Sequence, residues 1–386
     1  MDFRPDDDAA ELAGLVRELC HRHVTEDSLA ELDARFGPGA ESGGRTRATA
    51  RLHEGLWSAL VEAGVPAALS PAAAGGEGLG VVAAALVARE LGRAVAPVPL
   101  ESAVCAVPLL LAAGLDDEAR RVAAGGAIAA VGDDPLVPDA GIDWAPVADL
   151  VVTECPWLPG GGDPSTQRAV HVGALPDERF RVERLVPVDY SCTGVVGSLH
   201  HAPVHVLPLA ELERHRLRRR LLLAARQWGV LESALERTAA YARERRQFGR
   251  PIGSFQAVSA RLADAFLDVD AVRLSVLRAA DELDRDHADP GPAARDAVAS
   301  AHWWACEAGH RVAHTAVHVH GGVGLDREAA PHRYFLAAKA AEFRLGGATA
   351  QLLDLGALLA EHGDPFEAAG LPEDVTSGPA GAGAGE

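Results

Sequence analysis

The residues with the clearest chemical potential lie in the stretch RERRQFGRPIGSFQ, at positions 243–256. Arg245 comes three residues before Phe248, near the predicted end of a long helix, and glycine and proline then force a turn. Ser254 is placed to cap the next helix. An arginine at such a corner can hold a phosphate group through two parallel hydrogen bonds. A solvated arginine cluster, stabilised by the dipole at a helix C-terminus, is the alternative.

A second candidate site is the stretch HVHGGVG, at positions 318–324, where a predicted helix runs into two glycines. Gly321 and Gly322 would let a ligand approach the backbone closely and would leave amide donors exposed to it. A plain glycine cap at the end of the helix is the alternative.

The same predicted helix carries three histidines at a spacing of four residues, namely His310, His314 and His318. Neighbours at this spacing can bind one transition-metal ion. No carboxylate or cysteine completes the set at a recognised distance, and His318 already belongs to the glycine motif. We therefore expect no metal site here.

The elements that must position these residues follow a helical, β-rich and helical order. Residues 1–125 are predicted as a helical domain, 126–207 as a small antiparallel β domain and 208–362 as a helical bundle. Residues 363–386 end in SGPAGAGAGE and are predicted to form a disordered tail. The fold class expected is mostly α with a small β domain.

Composition limits the function classes. The chain has 386 residues, enough for two or three domains, and 48% of them are hydrophobic, as in globular proteins. A net charge of −19 argues against nucleic acid and acidic membrane surfaces as partners. Five scattered cysteines without a CxxC pair, and an acidic start unlike a signal peptide, favour a reducing cytoplasm.

Together and in this order, the two motifs resemble those of the acyl-CoA dehydrogenase family. RQFGRPIGSFQ, preceded by Arg245, resembles that family's Arg-x-x-Phe-Gly and Phe-Gln element, and HVHGGVG resembles its Gln-x-x-Gly-Gly-x-Gly element. Upstream, LWSALVEAGVPAALSPAAAGGEGLG and ARELGRAVAPVP are similar to the family's N-terminal helical domain. The resemblance covers the chain from about residue 10 to residue 362.

This resemblance implies a three-domain fold with FAD between the β domain and the C-terminal bundle. In the family, both motifs reach the flavin of a neighbouring subunit, so a homo-oligomer or a hetero-oligomer with a homologous chain is expected. The acyl substrate would be an acyl-CoA or carrier-bound thioester, and electron-transfer flavoprotein is a possible partner. The cofactor-binding residues implied by the resemblance are Arg245, Phe248, Gln256, His318, Gly321 and Gly322. His318 stands where the family has glutamine, and it can still donate one hydrogen bond.

The sequence departs from the family at the catalytic base, which should be a glutamate in a dry pocket. The matching stretch is EFRLGGATAQ, in which the base position falls on Leu345 or, in a second alignment, on Gly347. Some relatives carry the base on an earlier helix, close to Arg219 here. Glu213 and Glu232 lie a turn or more away from it. No catalytic residue is therefore assigned.

Three functions remain open. The chain could be an FAD-dependent dehydrogenase with an unidentified base, a non-catalytic or cofactor-sharing subunit of a heteromeric dehydrogenase, or an oxygen-using flavin enzyme that needs no base. The short β domain, which lacks the family's Thr-Glu-Pro and Gly-Ser-Asp segment, resembles members that work as partner subunits.

Overall fold

The computed structural model describes residues 5–36, 51–132, 141–155, 158–175, 181–184, 191–197, 202–285, 290–327 and 329–363. In these ranges the chain runs through helices, then two small sheets, then longer helices. Buried apolar side chains from all three parts form one continuous cluster. The expected fold class, mostly α with a small β region, is confirmed.

The N-terminal helices are short and amphipathic. Asp6 starts the first helix, because its side chain accepts a hydrogen bond from the Ala9 amide at 2.7 Å and acidic residues fill the first turn. The N-terminal helices are α1 (Asp7–His23), α2 (Glu26–Phe36), α3 (Glu54–Glu62), α4 (Val65–Ala68), α5 (Gly80–Arg93), α6 (Leu100–Ala112) and α7 (Asp116–Ala123).

In the described part of the β region, seven strands form two sheets. The strands are β1 (Ala129–Gly132), β2 (Ile142–Asp143), β3 (Leu150–Cys155), β4 (Gln167–Ala174), β5 (Arg181–Arg184), β6 (Thr193–Gly197) and β7 (Val204–Pro208). One sheet has the order β1-β3-β4-β7 and the other the order β2-β6-β5.

The expectation that the β region is wholly antiparallel is wrong at one pair. β1 runs parallel to β3, whereas the other pairs of the two sheets are antiparallel. The chain between β1 and β3 crosses to the second sheet to form β2 before it returns. A crossover of this kind brings β3 back beside β1 in the same direction.

The C-terminal part consists of long helices and one hairpin. They are α8 (Leu209–Glu244), β8 (Arg246–Gln247), β9 (Arg250–Pro251), α9 (Gln256–Arg285), α10 (Pro292–His320), α11 (Ala330–Phe343) and α12 (Gly347–His362). α8 packs against α9, α10 and α11 and also against α5 of the N-terminal part. It therefore helps to join the N-terminal helices to the bundle, together with the packing of α5 on α9.

Two glycines set the close crossing of α5 and α8. A Cβ atom on Gly92 would lie 2.0 Å from the Arg226 carbonyl oxygen, and one on Gly229 would lie 1.9 Å from that of Arg89. The two backbones touch at both points, so any side chain there would push the helices apart. This contact fixes α8, whose C-terminal end carries the first sequence motif.

The changes of secondary structure lie near the expected boundaries. Helices give way to strands between Ala123 and Ala129, and strands to helices between Pro208 and Leu209. The division into domains at 125 and 207 stays a prediction. The tail predicted from residue 363 lies, beyond Gly363, outside the described residues. Within the described ranges, no helix has both the length and the apolar character needed to cross a bilayer.

Candidate functional site

The first motif forms a tight hairpin at the end of α8. The Arg245 amide donates to the Tyr241 carbonyl at 2.8 Å and closes the helix. The Ile252 amide, directly after the return strand, donates to the Arg245 carbonyl at 2.8 Å. Phe248 and Gly249 make the two-residue turn with φ values of 50° and 78°. Both values are positive, as in the turns that suit two-residue hairpins.

Phe248 adopts a backbone conformation that residues other than glycine seldom adopt, and the residue is 91% exposed. Its edge meets Phe255 at a centroid distance of 6.1 Å, and the Arg250 guanidinium lies 4.1 Å above the Phe255 ring. Phe255 therefore holds the hairpin against the start of α9, while Phe248 points outward. An aromatic ring presented in this way is suited to packing on a ligand or on another chain.

The start of α9 differs in one detail from the expectation. The Ser254 hydroxyl donates to the Pro251 carbonyl at 2.7 Å, inside the turn, instead of capping the helix. Gln256 is the first residue of α9 and its side chain is exposed. It lies on the same short segment as Phe255, one residue beyond the anchor of the hairpin.

The second motif ends α10. Gly321 has φ 65° and ψ −141°, a combination that requires glycine, and a Cβ on Gly321 or Gly322 would meet no atom within 4 Å. Gly324 is different, because its Cβ would lie 2.9 Å from the Val317 carbonyl oxygen. The turn is thus closed against α10 on one side and open at Gly321 and Gly322 on the other. His318, in the last turn of α10, is exposed.

The two motifs lie at the same end of the bundle. Tyr241, in the last turn of α8, stacks on His320, the last residue of α10, with ring centroids 4.4 Å apart and an interplanar angle of 24°. Arg245 is one helical turn beyond Tyr241, and Gly321 follows His320 directly. The structure therefore brings together two segments that are about 70 residues apart in sequence.

These residues fit the diphosphate part of FAD. The Arg245 guanidinium is exposed and makes no hydrogen bond or ion pair with any residue that the structure describes. At Gly321 and Gly322 the backbone faces open space, which a Cβ atom on either residue would partly fill. A charged donor beside an open glycine turn suits a dianionic group. The assignment of these residues to the cofactor stays a prediction.

The expected base positions offer no proton acceptor that the structure describes. Gly347 begins α12 with φ 64°, and a Cβ there would lie 2.9 Å from the Glu342 carbonyl oxygen. Leu345 lies in the short turn Arg344–Gly346 between α11 and α12. Its side chain is outside the described part of the chain. Arg219, at the alternative position, is a half-buried cation on α8.

The nearby glutamates are held in ion pairs. Glu213 pairs with Arg295 at 2.5 Å. Glu232 accepts from Arg89 and Arg93, both at 2.7 Å. Both carboxylates are therefore occupied by arginine side chains.

Glu342 is engaged in a cluster with Lys339 and with His310, whose Nδ1 atom lies 3.1 Å from a Glu342 oxygen. The His310 and His314 rings lie 4.6 Å apart. The described residues contain no group of three or more ligands that could hold a metal ion. His310 and His314 thus take part in a surface contact between α10 and α11.

Arginines from the helical part reach both sheets. Arg344 pairs with Asp143 of β2 at 2.6 Å and donates to the Ser191 hydroxyl at 3.0 Å. Arg216 of α8 pairs with Glu154 of β3 through two contacts, at 2.7 and 2.5 Å. These contacts, which the sequence analysis did not find, cross from bundle to sheet. The partners of the Arg344 pair are 201 residues apart, so no local pattern could reveal it.

Comparison with known proteins gives consistent matches over nearly the whole chain. The model of the acyl-CoA dehydrogenase N-terminal domain matches residues 7–125, and that of the C-terminal domain matches residues 217–358. The chain is 36% identical to acyl-CoA dehydrogenase FadE27 of Mycobacterium tuberculosis, over 94% of this chain and 99% of the relative.

Two solved structures have a similar fold. A chain of the ChsE4-ChsE5 complex from Mycobacterium tuberculosis superposes with a TM-score of 0.80 and 35% identity, over 94% of this chain and 99% of that one. A Tcur3481-Tcur3483 steroid ACAD variant gives a TM-score of 0.77 and 30% identity, over 92% and 98%. The expected three-part fold is confirmed.

Proposed function

This chain belongs to the acyl-CoA dehydrogenase family, and from that premise we propose that it is the base-deficient, cofactor-sharing subunit of a heteromeric dehydrogenase. The family's reaction is α,β-dehydrogenation of an acyl-CoA thioester, in which FAD, when bound, accepts the hydrogen that leaves the β carbon. The proposed partner is a homologous chain that carries the catalytic glutamate.

On this proposal, the residues at the shared end of α8 and α10 hold the flavin without taking part in proton transfer. The Arg245 guanidinium would bind the diphosphate through two hydrogen bonds, and the backbone at Gly321 and Gly322 would lie against it. The Phe248 ring would cover apolar surface of the cofactor. The residues proposed to contact FAD are Arg245, Phe248, Gln256, His318, Gly321 and Gly322.

One contrast supports this division of roles most strongly. The Arg245 guanidinium has no partner in the described part of the chain, whereas Glu213, Glu232 and Glu342 are each bound to at least one cation. Among the described residues near the expected base positions, the arginine is therefore available for a phosphate, whereas these three carboxylates are already engaged. A general base contributes about 10²–10⁴-fold to such a reaction.

The bundle-to-sheet contacts support the same conclusion. The family places the flavin ring and the acyl chain between the β domain and the bundle. Here Arg344 and Arg216 span from helices to the strands that carry Asp143 and Glu154. An acyl chain inserted between these elements would have to open the ion pairs or cover them, and either change is costly for charged groups. We therefore place the reacting end of the flavin in the partner chain.

The similar structures bear on partner and substrate. Both solved structures carry two-component names, ChsE4-ChsE5 and Tcur3481-Tcur3483, and the second is called a steroid ACAD. By this likeness we propose a heteromeric assembly and an acyl-CoA thioester that bears a steroid as the first substrate to try.

Electron-transfer flavoprotein as acceptor and the cytoplasm as location remain proposals as well. The five cysteines, all buried thiols, agree with a reducing compartment.

Co-expression tests the proposal. The chain is produced alone and together with a homologue that carries the base glutamate, and each preparation is analysed for subunit ratio and bound FAD. We expect the chain to co-purify with the homologue at a one-to-one ratio and to gain flavin on assembly. A chain that remains separate from such homologues and retains a full complement of FAD by itself would refute the proposal.

A further inference from the structure

We infer that the stacked rings of Tyr241 and His320 position the two cofactor-binding segments relative to each other. Neither residue is assigned to the flavin by the motifs, and neither is proposed to touch it. The inference rests on the proposed function, because it concerns how the same site is held in place. Tyr241 and His320 are thus positioning residues for FAD.

Tyr241 is connected to both ends of the hairpin. Its carbonyl accepts the Arg245 amide at 2.8 Å, and the Arg245 carbonyl in turn accepts the Ile252 amide at 2.8 Å. The two bonds link the last turn of α8 to the outgoing and returning strands. A shift of the Tyr241 ring that moves its backbone would therefore move Arg245 as well.

His320 is fixed on the other side. Its side chain is buried, and Nδ1 lies 2.8 Å from the Ala316 carbonyl oxygen, so Nδ1–H donates and the ring plane is set. The turn that follows folds back onto it, because a Cβ on Gly324 would lie 3.2 Å from the Cβ of His320. The position of Gly321 and Gly322 therefore depends on that of His320.

The stack joins these two constrained residues. At a centroid distance of 4.4 Å and an angle of 24°, the rings are in the near-parallel contact that aromatic pairs favour when offset. The stack of Tyr241 on His320 sets the spacing between the Arg245 hairpin and the glycine turn. A bidentate bond from arginine to a phosphate needs accurate geometry, so loss of the stack should weaken flavin binding even when Arg245 is present.

Substitution at Tyr241 tests the inference in the FAD-binding assembly. Tyr241→Leu removes the stack and should weaken FAD binding roughly fivefold, as expected for loss of one aromatic pair, whereas Tyr241→Phe keeps the ring and should bind as the parent does. The FAD affinity of each variant is measured by flavin titration. It is corrected for the fraction of folded protein, which thermal unfolding reports. Phe335→Leu is a matched control. It removes the ring of another aromatic–histidine pair, which joins Phe335 of α11 to His314 of α10 at 5.4 Å, and it leaves the Tyr241–His320 stack intact.

A double variant separates positioning from general stability. If the stack acts through Arg245, Tyr241→Leu should add little to the loss that Arg245→Ala already causes. The inference falls if folded Tyr241→Leu binds FAD as tightly as the parent, or if the two losses multiply independently. If Tyr241→Leu does not fold, His320→Leu breaks the same stack and carries the same expectation. Should Arg245→Ala itself leave FAD binding unchanged, the proposed function fails first.

Discussion

Arg245 is an exposed guanidinium without a partner in the described residues, one helical turn beyond the Tyr241–His320 stack. The cofactor assignment depends on it more than on any other residue. Lys339, the only lysine of the chain, is by contrast bound to Glu342. For single residues, it therefore matters more for function whether a charged side chain is unpaired in the structure than whether it occurs in the sequence.

Replacement of Arg245 by alanine should release flavin. The change removes a charge-assisted hydrogen bond, worth about 1.5–3 kcal/mol, so FAD retention in the assembly should fall about tenfold or more. The measurement is FAD content after gel filtration. Arg121→Ala, at an exposed arginine of α7 far from the motifs in sequence, is the control and should retain flavin. Equal retention by Arg245→Ala and the parent would show that the arginine does not hold the cofactor.

Two buried histidines should make the folded chain sensitive to acid. Burial, with Arg219 nearby, lowers the pKa of His215 to about 3, and burial beside Arg220 lowers the pKa of His302 to about 4. Neither ring nitrogen of His302 has a hydrogen-bond partner among the described residues. Since the unfolded chain takes up these protons near pH 6.5 and the folded chain does not, stability is unaffected above pH 6.5 and falls below it.

The expected loss at pH 5 is roughly 2 kcal/mol for each of these histidines, measured by urea unfolding at pH 7.5 and pH 5. His302→Leu removes one of the two titrating groups, so its unfolding free energy should depend less on pH over this interval. If the parent and His302→Leu lose the same stability on acidification, burial of His302 is not the cause.

At the scale of elements, sequence periodicity predicted the helical, β and helical order because each long helix carries its own apolar face. It did not predict the parallel pairing of β1 with β3, which depends on a crossover through a second sheet. Turn chemistry located the hairpin, since glycine follows Phe248. The Tyr241–His320 stack and the Arg344–Asp143 pair were missed, because each joins residues far apart in sequence.

The crossing of α5 and α8 gives a stability test at this scale. Gly229→Ala would place a Cβ 1.9 Å from the Arg89 carbonyl oxygen, so the helices must separate, at a cost of about 1–3 kcal/mol. Gly356, on the exposed side of α12, would meet no atom within 4 Å. Gly356→Ala should therefore be neutral or stabilise the helix by up to about 1 kcal/mol. Similar unfolding midpoints for the two variants would contradict the close crossing.

At the scale of the whole molecule, the isolated chain leaves large apolar side chains uncovered. Phe266 and Leu267 on α9 are 63% and 66% exposed, and Leu352 and Leu353 on α12 are 54% and 70% exposed. Uncovered apolar surface of this kind indicates contact with another chain. This arrangement agrees with a cofactor site that is completed by a neighbouring subunit.

We therefore predict an oligomer that depends on α12. Leu353→Glu places a charge on an exposed apolar position, so it should reduce the assembly to smaller species without unfolding the chain. Light scattering gives the mass, and circular dichroism checks that the helices remain. Asp354→Ala is not a suitable control, because Asp354 pairs with Arg220 of α8. The exposed Glu361 pairs only with its neighbour His362 among the described residues, so Glu361→Gln should assemble normally. An unchanged mass for Leu353→Glu would place the interface elsewhere.

The most direct test of the central claim is rapid mixing of an acyl-CoA thioester with protein to which FAD has been added, followed by the flavin absorbance. For the chain alone, we predict bleaching slower by about 10²–10⁴-fold than for the assembly with a homologue that carries the base glutamate. Addition of that homologue should restore rapid bleaching. Fast flavin reduction by the unmodified chain alone would contradict the account and would show that it contains a working base of its own.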